Sequence, residues 1–225
     1  MAIRQVFIPR KDYVGVKIYD INFEYFFGFS IQQKQRCIDS LHKACESKGI
    51  FDLLEISSKS RNPLGVSLSA FNLSTRSLIL KQKFTVEQAF QSSKVFEQGG
   101  PYIDLFSKTS KEAKKDKRLR ESGNILYFEF FGKKYSKNPP TSFYDWLYIN
   151  ILLKNKTLVK ELSRYSAFTD IEFNNKKSIN CQAYTLALFR SMQFNNINLD
   201  ELKDISNLIR ICENEYNCRW KINKK

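Results

Sequence analysis

The spacing of apolar residues changes within the first fifty residues, and this change limits which folds the chain can adopt. Residues 3–27 alternate apolar and polar side chains, a pattern typical of short strands with one buried face. Ser30 then offers an N-cap, and apolar residues recur on one helical side until Gly49, which can end a helix. The sequence therefore predicts short strands followed directly by a helix.

Later segments give further strand and helix predictions. "FDLLEIS" favours a buried strand, "SKSRNPLG" a polar turn, "VSLSAFNL" a second strand or an irregular segment, and "NILYFEFFGKKY" a strand. "KFTVEQAFQSSKV" predicts an amphipathic helix that is ended by Gly99, Gly100 and Pro101, because glycine and proline interrupt helices. The other predicted helices are residues 107–123 up to Gly123, "SFYDWLYINILL" with Thr141 as its cap, and residues 158–165, 178–192 and 199–212.

The chain carries a large excess of positive charge. It has 37 basic and 23 acidic residues among 225, which gives a formal net charge of +14. Such an excess favours binding to polyanions such as nucleic acid, and its simpler interpretation is a lysine-rich surface that aids solubility. Residues 107–123, the basic segment, are predicted to contact nucleic acid through Lys111, Lys114, Lys115, Lys117 and Arg118.

Several kinds of site are not predicted. The five cysteines are scattered without a CxxC pair and His42 is the single histidine, so no metal site, no cofactor and no His-dependent triad is expected. The sequence has neither a P-loop nor a Rossmann glycine motif. No apolar run approaches the roughly 20 residues of a membrane span. We therefore expect a soluble, reduced, cytoplasmic protein with no membrane partner.

The chemical groups that remain are carboxylates, amines and aromatic rings. Glu87, Gln91 and Lys94 follow the i, i+4, i+7 spacing that aligns side chains on one helix face. A buried glutamate can act as a general acid or base, and a lysine deprived of water can act as a nucleophile. The alternative interpretation is a surface ion pair on an amphipathic helix.

Three other stretches offer candidate groups, each with an ordinary alternative. Tyr144 and Trp146 can stack on a nucleobase, although such clusters more often fill a core. Asp170 and Glu172 alternate with apolar residues, so they either face a pocket from one side of a strand or are simply solvated. Lys59 lies in a turn after the "FDLLEIS" strand, where it is either a functional amine or a loop charge.

One short stretch carries a family resemblance. "FTVEQAFQSSK", residues 84–94, resembles the hallmark "WPTSEHYFQAQK" of the NADAR superfamily, which includes the YbiA-type N-glycosidases. The residues that match in register are Glu87, Phe90, Gln91 and Lys94. The blocks "LEISSKS", "LSAFNL", "FEQGGPYIDL", "AKKDKRL", "TSFYDWLY" and "AFTDIEFN" are similar, in the same order, to NADAR antitoxins paired with DarT-type DNA ADP-ribosyltransferases.

The resemblance implies an α+β, helix-rich single domain with short strands. We expect this domain over residues 1–195, followed by a helical extension at residues 196–225. The resemblance also implies hydrolysis of an N-glycosidic bond, with release of ADP-ribose from guanine in ADP-ribosylated DNA, or RNA, which reverses the action of a DarT-type toxin. Two alternatives remain: an N-glycosidase for a small ribosylated metabolite such as a riboflavin intermediate, and a non-catalytic module that binds nucleic acid or the toxin.

Two routes for this reaction are open. In the first, Glu87 activates a water that attacks the anomeric carbon, and carboxylates stabilise the developing positive charge. In the second, which we favour, the ribose ring opens and a lysine amine forms an imine, with Glu87 as proton shuttle. Lys59 is the first choice for this amine and Lys94 the second, while Asp170 is a further candidate catalytic acid.

The predicted substrate-binding residues fall into chemical groups. Polar side chains suit the ribose hydroxyls, aromatic rings suit stacking, and a glycine loop offers backbone N–H groups to phosphate oxygens. The ribose hydroxyls are assigned to Asn72, Asp170 and Glu172, stacking to Tyr144 and Trp146, and the phosphate oxygens to Gly99 and Gly100. Two further predicted substrate-binding residues are Gln91 and Tyr102.

Overall fold

A computed structural model describes residues 1–176 and 178–222 of the chain. The strands are β1 (Ala2–Pro9), β2 (Val16–Phe23), β3 (Leu53–Glu55), β4 (Ser74–Ser77), β5 (Gln82–Thr85), β6 (Lys94–Phe96), β7 (Ile125–Phe130), β8 (Lys133–Tyr135) and β9 (Ala167–Thr169). The helices are α1 (Ile31–Glu46), α2 (Pro63–Ser67), α3 (Val86–Ser92), α4 (Ser110–Lys115), α5 (Arg118–Glu121), α6 (Ser142–Leu153), α7 (Lys156–Leu162), α8 (Gln182–Phe194), α9 (Ile205–Ile211) and α10 (Glu213–Ile222), with 3₁₀ helices at Ile103–Ser107 and Leu199–Lys203. This mixture confirms the expected α+β, helix-rich class.

The contacts between residues divide the chain into two compact units. The first unit comprises Met1–Ser69 and Lys156–Asp200, and the second comprises Ala70–Asn155 and the residues from Glu201 onward. The domain boundary predicted at residue 195 stays a prediction, and residues 223–225 of the expected extension lie outside the described residues. Within the described residues, no helix has both the length and the apolar character needed to cross a membrane.

The first unit is built on a four-stranded sheet with the order β2-β1-β9-β3. β1 and β2 pair antiparallel over their whole length, β9 runs antiparallel to β1, and β3 runs parallel to β9. Val6 and Ile21 from the sheet pack against Leu41 and Cys45 of α1 in a buried core. The alternation of residues 3–27 therefore predicted both long strands, because one face of this pair is buried.

α1 begins and ends close to the predicted residues. The Ser30 hydroxyl accepts a hydrogen bond from the Gln33 N–H at 3.2 Å, which confirms the predicted N-cap. The helix ends at Glu46, and Gly49 follows with a left-handed φ of +77°.

The second unit holds a β4–β5 hairpin and a three-stranded antiparallel sheet with the order β6-β7-β8. α6 covers this sheet through aromatic contacts, of which the closest joins Phe143 to Phe128 with 4.4 Å between ring centroids. α6 begins after Thr141 as predicted. The Thr141 hydroxyl does not cap the helix, because it donates to the Asp145 carboxylate at 2.8 Å.

The helix predicted to run into the Gly-Gly-Pro loop is shorter than expected. α3 ends at Ser92, where the hydroxyls of Ser92 and Ser93 donate to the carbonyl oxygen of Ala89 at 3.1 and 2.6 Å. The chain then extends into β6. The prediction that Lys94 lies on the helix is therefore wrong, because Lys94 opens β6 and pairs with Phe128 on β7.

The strand predicted from "NILYFEFFGKKY" is a hairpin of β7 and β8. Phe131 and Gly132 have φ values of +49° and +74° and form the turn between the two strands. The apolar character of Phe131 concealed this turn in the sequence.

The basic segment forms α4 and α5 instead of one continuous helix. Asp116 interrupts it, because its carboxylate accepts hydrogen bonds from the backbone N–H of Arg118 at 3.1 Å and from the Lys108 amine at 2.9 Å. Gly123 ends the segment as predicted, with a left-handed φ of +84°.

Three other predictions need correction. The predicted polar turn contains α2, because the Asn62 side chain accepts from the Leu64 N–H at 2.9 Å and Pro63 suits the first helical position. "VSLSAFNL" is irregular after α2, so the strand alternative is wrong. Residues 199–212 form a 3₁₀ helix followed by α9.

Candidate active site

Glu87 lies in the first turn of α3, whose start is fixed by a capping box. The Thr85 hydroxyl accepts from the Gln88 N–H at 3.2 Å, and the Gln88 side chain accepts from the Thr85 N–H at 2.7 Å. The Glu87 N–H is bonded to the carbonyl oxygen of Ala70 at 2.9 Å. The Glu87 side chain is only 5% exposed, and a carboxylate at this end of a helix is favoured by the helix dipole.

A row of hydrogen bonds joins the acid to an amine. Gln91, one turn after Glu87, donates from Nε2 to Glu87 Oε1 at 2.8 Å. Lys94 donates from Nζ to Gln91 Oε1 at 2.7 Å. Gln91 is 6% exposed, so the amide that links the two charged groups is buried. The structure thus brings together three of the predicted site residues, although one of them lies on β6 and the other two lie on α3.

The surroundings of Lys94 disfavour its charged form. The pKa of the Lys94 amine is lowered to about 8: burial is the main cause, the Glu87 carboxylate acts in the opposite direction, and the positive charge of Lys114 adds to the lowering. The Lys94 Nζ lies 4.7 Å from the centroid of the Phe90 ring, which forms part of this buried environment. A lysine with this pKa has an appreciable uncharged fraction near neutral pH and can therefore act as a nucleophile.

The Gly99–Gly100 loop lies against the backbone of Lys94. A side chain at Gly100 would place its Cβ only 2.3 Å from the Lys94 carbonyl oxygen, so a residue without a side chain is required there. The Tyr102 hydroxyl is hydrogen-bonded to the Ser122 hydroxyl. Gly100, one of the two glycines predicted to meet a diphosphate, is therefore a direct neighbour of the Lys94 backbone.

The predicted stacking residues differ in exposure. Tyr144 is buried, with its ring centroid 5.1 Å from that of Phe90. Trp146 is partly exposed, packs against Tyr135 at 4.9 Å between ring centroids, and donates from Nε1 to the Lys203 carbonyl oxygen at 3.0 Å. Asn72 is exposed in the chain before β4.

The other predicted acids lie in the first unit. Asp170 and Glu172 follow the end of β9, so the prediction that they share one side of a strand is wrong. Asp170 is 7% exposed and accepts from the Glu172 N–H at 3.0 Å and from the Gln182 amide at 2.9 Å. The exposed Glu172 carboxylate forms an ion pair with Lys34 at 3.2 Å. Lys59 is partly exposed, and its backbone N–H donates to the Ser57 hydroxyl at 3.2 Å.

Sequence reasoning missed a buried polar network in the same unit. Glu55 on β3 is 2% exposed and accepts from the Thr169 hydroxyl at 2.7 Å and the Ile171 N–H at 2.9 Å. His42 Nε2 lies 2.9 Å from the Thr169 hydroxyl, and burial lowers the pKa of His42 to about 4. The signal that was available is the position of Glu55 between the apolar residues of "LLEI", because a buried charge needs partners.

The residues of the basic segment fall into two groups. Arg118 makes ion pairs with Asp104 at 2.7 Å and Asp116 at 2.8 Å, and Lys108 pairs with Asp116 at 2.9 Å. The other predicted nucleic-acid-binding residues have exposed side chains; they are Lys111, Lys114, Lys115 and Lys117. The described part of the chain holds no group of three or more His, Cys, Asp or Glu side chains that could bind a metal ion.

The fold and the hydrogen-bonded row define an α+β protein in which an acid and an amine are linked at a helix–strand junction. A sequence model of the DarT1-associated NADAR antitoxin family matches residues 2–221, and the chain belongs to this family. The resemblance seen in residues 84–94 is thereby confirmed. No curated protein matches the chain.

Proposed function

We propose that the protein is a DNA ADP-ribosyl glycohydrolase that removes ADP-ribose from modified guanine bases and so acts as the antitoxin to a DarT-type toxin. The observation that supports this proposal is the hydrogen-bonded row of Glu87, Gln91 and Lys94, in which the acid and the amide are buried and the amine has a lowered pKa, at the positions of the NADAR hallmark. A surface ion pair, the ordinary alternative for these residues, would have exposed side chains.

The proposed reaction route depends on the leaving group, a guanine amine, which is a poor one. A guanine amine leaves readily only after protonation or after the ribose ring opens. In the proposed route, ring opening turns the link at C1′ into an imine, and the uncharged lysine amine adds to that carbon. Glu87 delivers a proton to the guanine nitrogen, the C1′–nitrogen bond breaks, and a lysine imine remains. Water then hydrolyses this imine, which releases ADP-ribose and the free lysine.

Two lysines are candidates for the amine, and the structure supports Lys94 over Lys59. Lys94 is hydrogen-bonded into the same row as Glu87, and its lowered pKa supplies the uncharged form that an imine requires. Lys59, in the turn after β3, is partly exposed as Lys94 is, but it lies outside this row and therefore remains the second candidate.

Substrate binding is assigned to the other predicted site residues. The backbone N–H groups near Gly99 and Gly100 are proposed to meet the diphosphate, and the exposed lysines of the basic segment to attract the DNA backbone. Trp146, which is partly exposed, is the better placed of the two stacking candidates. Asp170 is proposed to contact the ribose hydroxyls.

The test is release of ADP-ribose from an oligonucleotide that carries ADP-ribosylated guanine. We expect wild-type protein to release ADP-ribose and restore the unmodified base, and Glu87→Gln to lose most of this activity. Lys83→Arg changes an exposed lysine of the same unit and is the matched control. Release from free ribosylated nucleotides alone would favour a metabolite-directed enzyme, and toxin neutralisation by Glu87→Gln at the wild-type level would favour a non-catalytic module.

Borohydride trapping separates the two lysines. Reduction during turnover should attach the sugar to the protein, and peptide mapping should place the adduct on Lys94. Lys94→Arg should abolish the adduct, since a guanidinium cannot form the imine, while Lys59→Arg should leave it intact. An adduct on Lys59 would reverse this assignment, and the absence of any adduct would leave direct hydrolysis by water activated at Glu87.

A further inference from the structure

We propose that Glu55 is a positioning residue that sets the place and orientation of the Asp170 carboxylate. This inference rests on the proposed function, in which Asp170 contacts the ribose of the substrate. It adds a residue that lies outside the NADAR hallmark stretch.

Glu55 holds the chain on both sides of Asp170. One carboxylate oxygen, Oε2, accepts from the Thr169 hydroxyl at 2.7 Å, and the other, Oε1, accepts from the Ile171 N–H at 2.9 Å. The Ile56 N–H donates to the Thr169 carbonyl oxygen at 2.8 Å, which continues the parallel pairing of β3 with β9. The residues before and after Asp170 are therefore fixed to β3, although Asp170 itself lies beyond the end of β9.

A side chain of α8 links the Asp170 carboxylate to the residue that follows β3. Gln182, the first residue of α8, donates from its amide to Asp170 Oδ2 at 2.9 Å. The same Gln182 amide nitrogen donates to the carbonyl oxygen of Ile56, the residue after Glu55. The second oxygen of Asp170 accepts from the Glu172 N–H at 3.0 Å. Glu55 thus holds the residues on both sides of Asp170, while the Asp170 carboxylate is held by the Glu172 N–H and by Gln182, which also bonds to the residue after Glu55.

The chemistry of Glu55 indicates that this arrangement requires a carboxylate. A buried acid is costly, because desolvation disfavours its charge, and burial indeed raises the pKa of Glu55. The two Glu55 oxygens accept from the Thr169 hydroxyl and the Ile171 N–H, and these hydrogen bonds, together with one from Ser57, favour the charged form against the effect of burial. A glutamine of the same shape would place an amide donor against one of these two groups. His42 Nε2, 2.9 Å from the Thr169 hydroxyl, completes the chain of contacts.

The experiment measures single-turnover release of ADP-ribose from an oligonucleotide with ADP-ribosylated guanine. Glu55→Gln is expected to lower the rate constant roughly tenfold or more, because small displacements of a substrate-contacting group are costly. The reaction amplitude and the affinity for the oligonucleotide should stay close to wild type. Glu24→Gln, which changes an exposed acid of the same unit, is the control and should react at the wild-type rate.

A pair of variants at Thr169 tests the same contact without altering the acid. Thr169→Val removes the hydroxyl that donates to Glu55 and should slow release, whereas Thr169→Ser keeps it and should restore most of the rate. If Glu55→Gln does not fold, these two Thr169 variants test the positioning role of Glu55 in its place. In an Asp170→Asn background, Glu55→Gln should have little further effect, because both changes act on the same group.

Three results would overturn the inference while leaving the proposed function in place. The first is a wild-type rate constant for Glu55→Gln or for Thr169→Val. The second is a loss of reaction amplitude in Glu55→Gln at an unchanged rate constant. The third is a full further reduction of the rate constant when Glu55→Gln is added to Asp170→Asn. A loss of amplitude alone would show that Glu55 only stabilises the fold. Inactive but folded wild-type protein would instead refute the proposed function, and this inference with it.

Discussion

Lys94 donates a hydrogen bond from Nζ to the side-chain oxygen of Gln91 at 2.7 Å, although Lys94 lies on β6 and Gln91 on α3. The other end of the Gln91 amide donates to Glu87 at 2.8 Å. An amide is suited to this place because it accepts from an amine with its oxygen and donates to a carboxylate with its nitrogen. The linkage holds an acid and an amine along one row while a neutral group lies between them.

Removal of the Gln91 amide should therefore break both hydrogen bonds that link Lys94 to Glu87. We expect Gln91→Leu to lower the rate of ADP-ribose release by roughly tenfold to a thousandfold, because both charged groups are left without a buried partner. The measurement is a single-turnover assay, with thermal unfolding recorded in parallel. Gln98→Leu makes the same change at an exposed position of the same unit and should keep the wild-type rate. Wild-type activity in Gln91→Leu would show that the row has no role in the reaction.

The pH dependence of the rate should report the Lys94 amine. Because its pKa is lowered to about 8, the uncharged fraction increases as pH rises, so the rate should increase up to about pH 8 and then level off. Gln91→Glu adds a negative charge beside the amine, which favours the charged form and should move this rise to higher pH. His42, with a pKa of about 4, titrates below this range. A rate independent of pH between roughly 6 and 9 would contradict the assignment of Lys94 as the amine.

Burial of Lys94 should also make stability depend on pH. Its pKa of about 8 in the folded protein lies below its usual value of 10.5, so between these values the unfolded chain binds more protons than the folded one. Stability should therefore rise with pH through this window. Lys94→Met lacks the ionisable group, so its advantage in the free energy of unfolding should be larger near pH 7 than near pH 10. Denaturant unfolding at several pH values measures this difference, and a constant difference would contradict the lowered pKa.

The parts of the structure that the sequence predicted are those decided by neighbouring residues. The Ser30 cap, the buried face of α1 and the alternation in β1 and β2 all depend on local spacing and side-chain chemistry. The alignment of Glu87 with Gln91 was found in the same way, because they lie one helical turn apart, whereas the hallmark itself was found through the resemblance to a known family.

The parts that the sequence did not predict depend on pairing with distant residues. Lys94 continues the helical spacing of α3, yet it enters β6 because its backbone pairs with Phe128, more than thirty residues further along the chain. Two partners of Glu55, Thr169 and Ile171, reach it only once β9 has joined β3. Long-range strand pairing of this kind leaves little trace in the spacing of a single sequence.

The two groups of basic residues should respond differently to removal of their charge. Lys115→Gln and Lys117→Gln remove exposed charges, so each should weaken binding to DNA and reduce the salt slope of binding by about 0.9 for every phosphate that the protein no longer neutralises. Arg118→Gln breaks the ion pairs with Asp104 and Asp116 and should mainly lower the free energy of unfolding, by about 1 kcal/mol. Binding titrations at several salt concentrations, together with denaturant unfolding, distinguish the two effects. An unchanged salt slope in the lysine variants would contradict a role of these side chains in DNA binding.

Gly100 should be the glycine whose replacement affects the site most. Its φ of +91° disfavours a side chain, and an added Cβ would lie 2.3 Å from the carbonyl oxygen of Lys94, whose backbone belongs to β6. Gly132 is the matched control, because its φ of +74° is also left-handed but an added Cβ would meet nothing within 4 Å. Gly132→Ala should therefore cost only about 1 kcal/mol of stability and leave activity intact. Gly100→Ala should cost roughly 3 kcal/mol and also slow ADP-ribose release, since the backbone that carries the Lys94 amine must shift. Unfolding curves and single-turnover rates for both variants measure these effects, and equal behaviour of the two would show that the position of the Lys94 backbone does not limit the reaction.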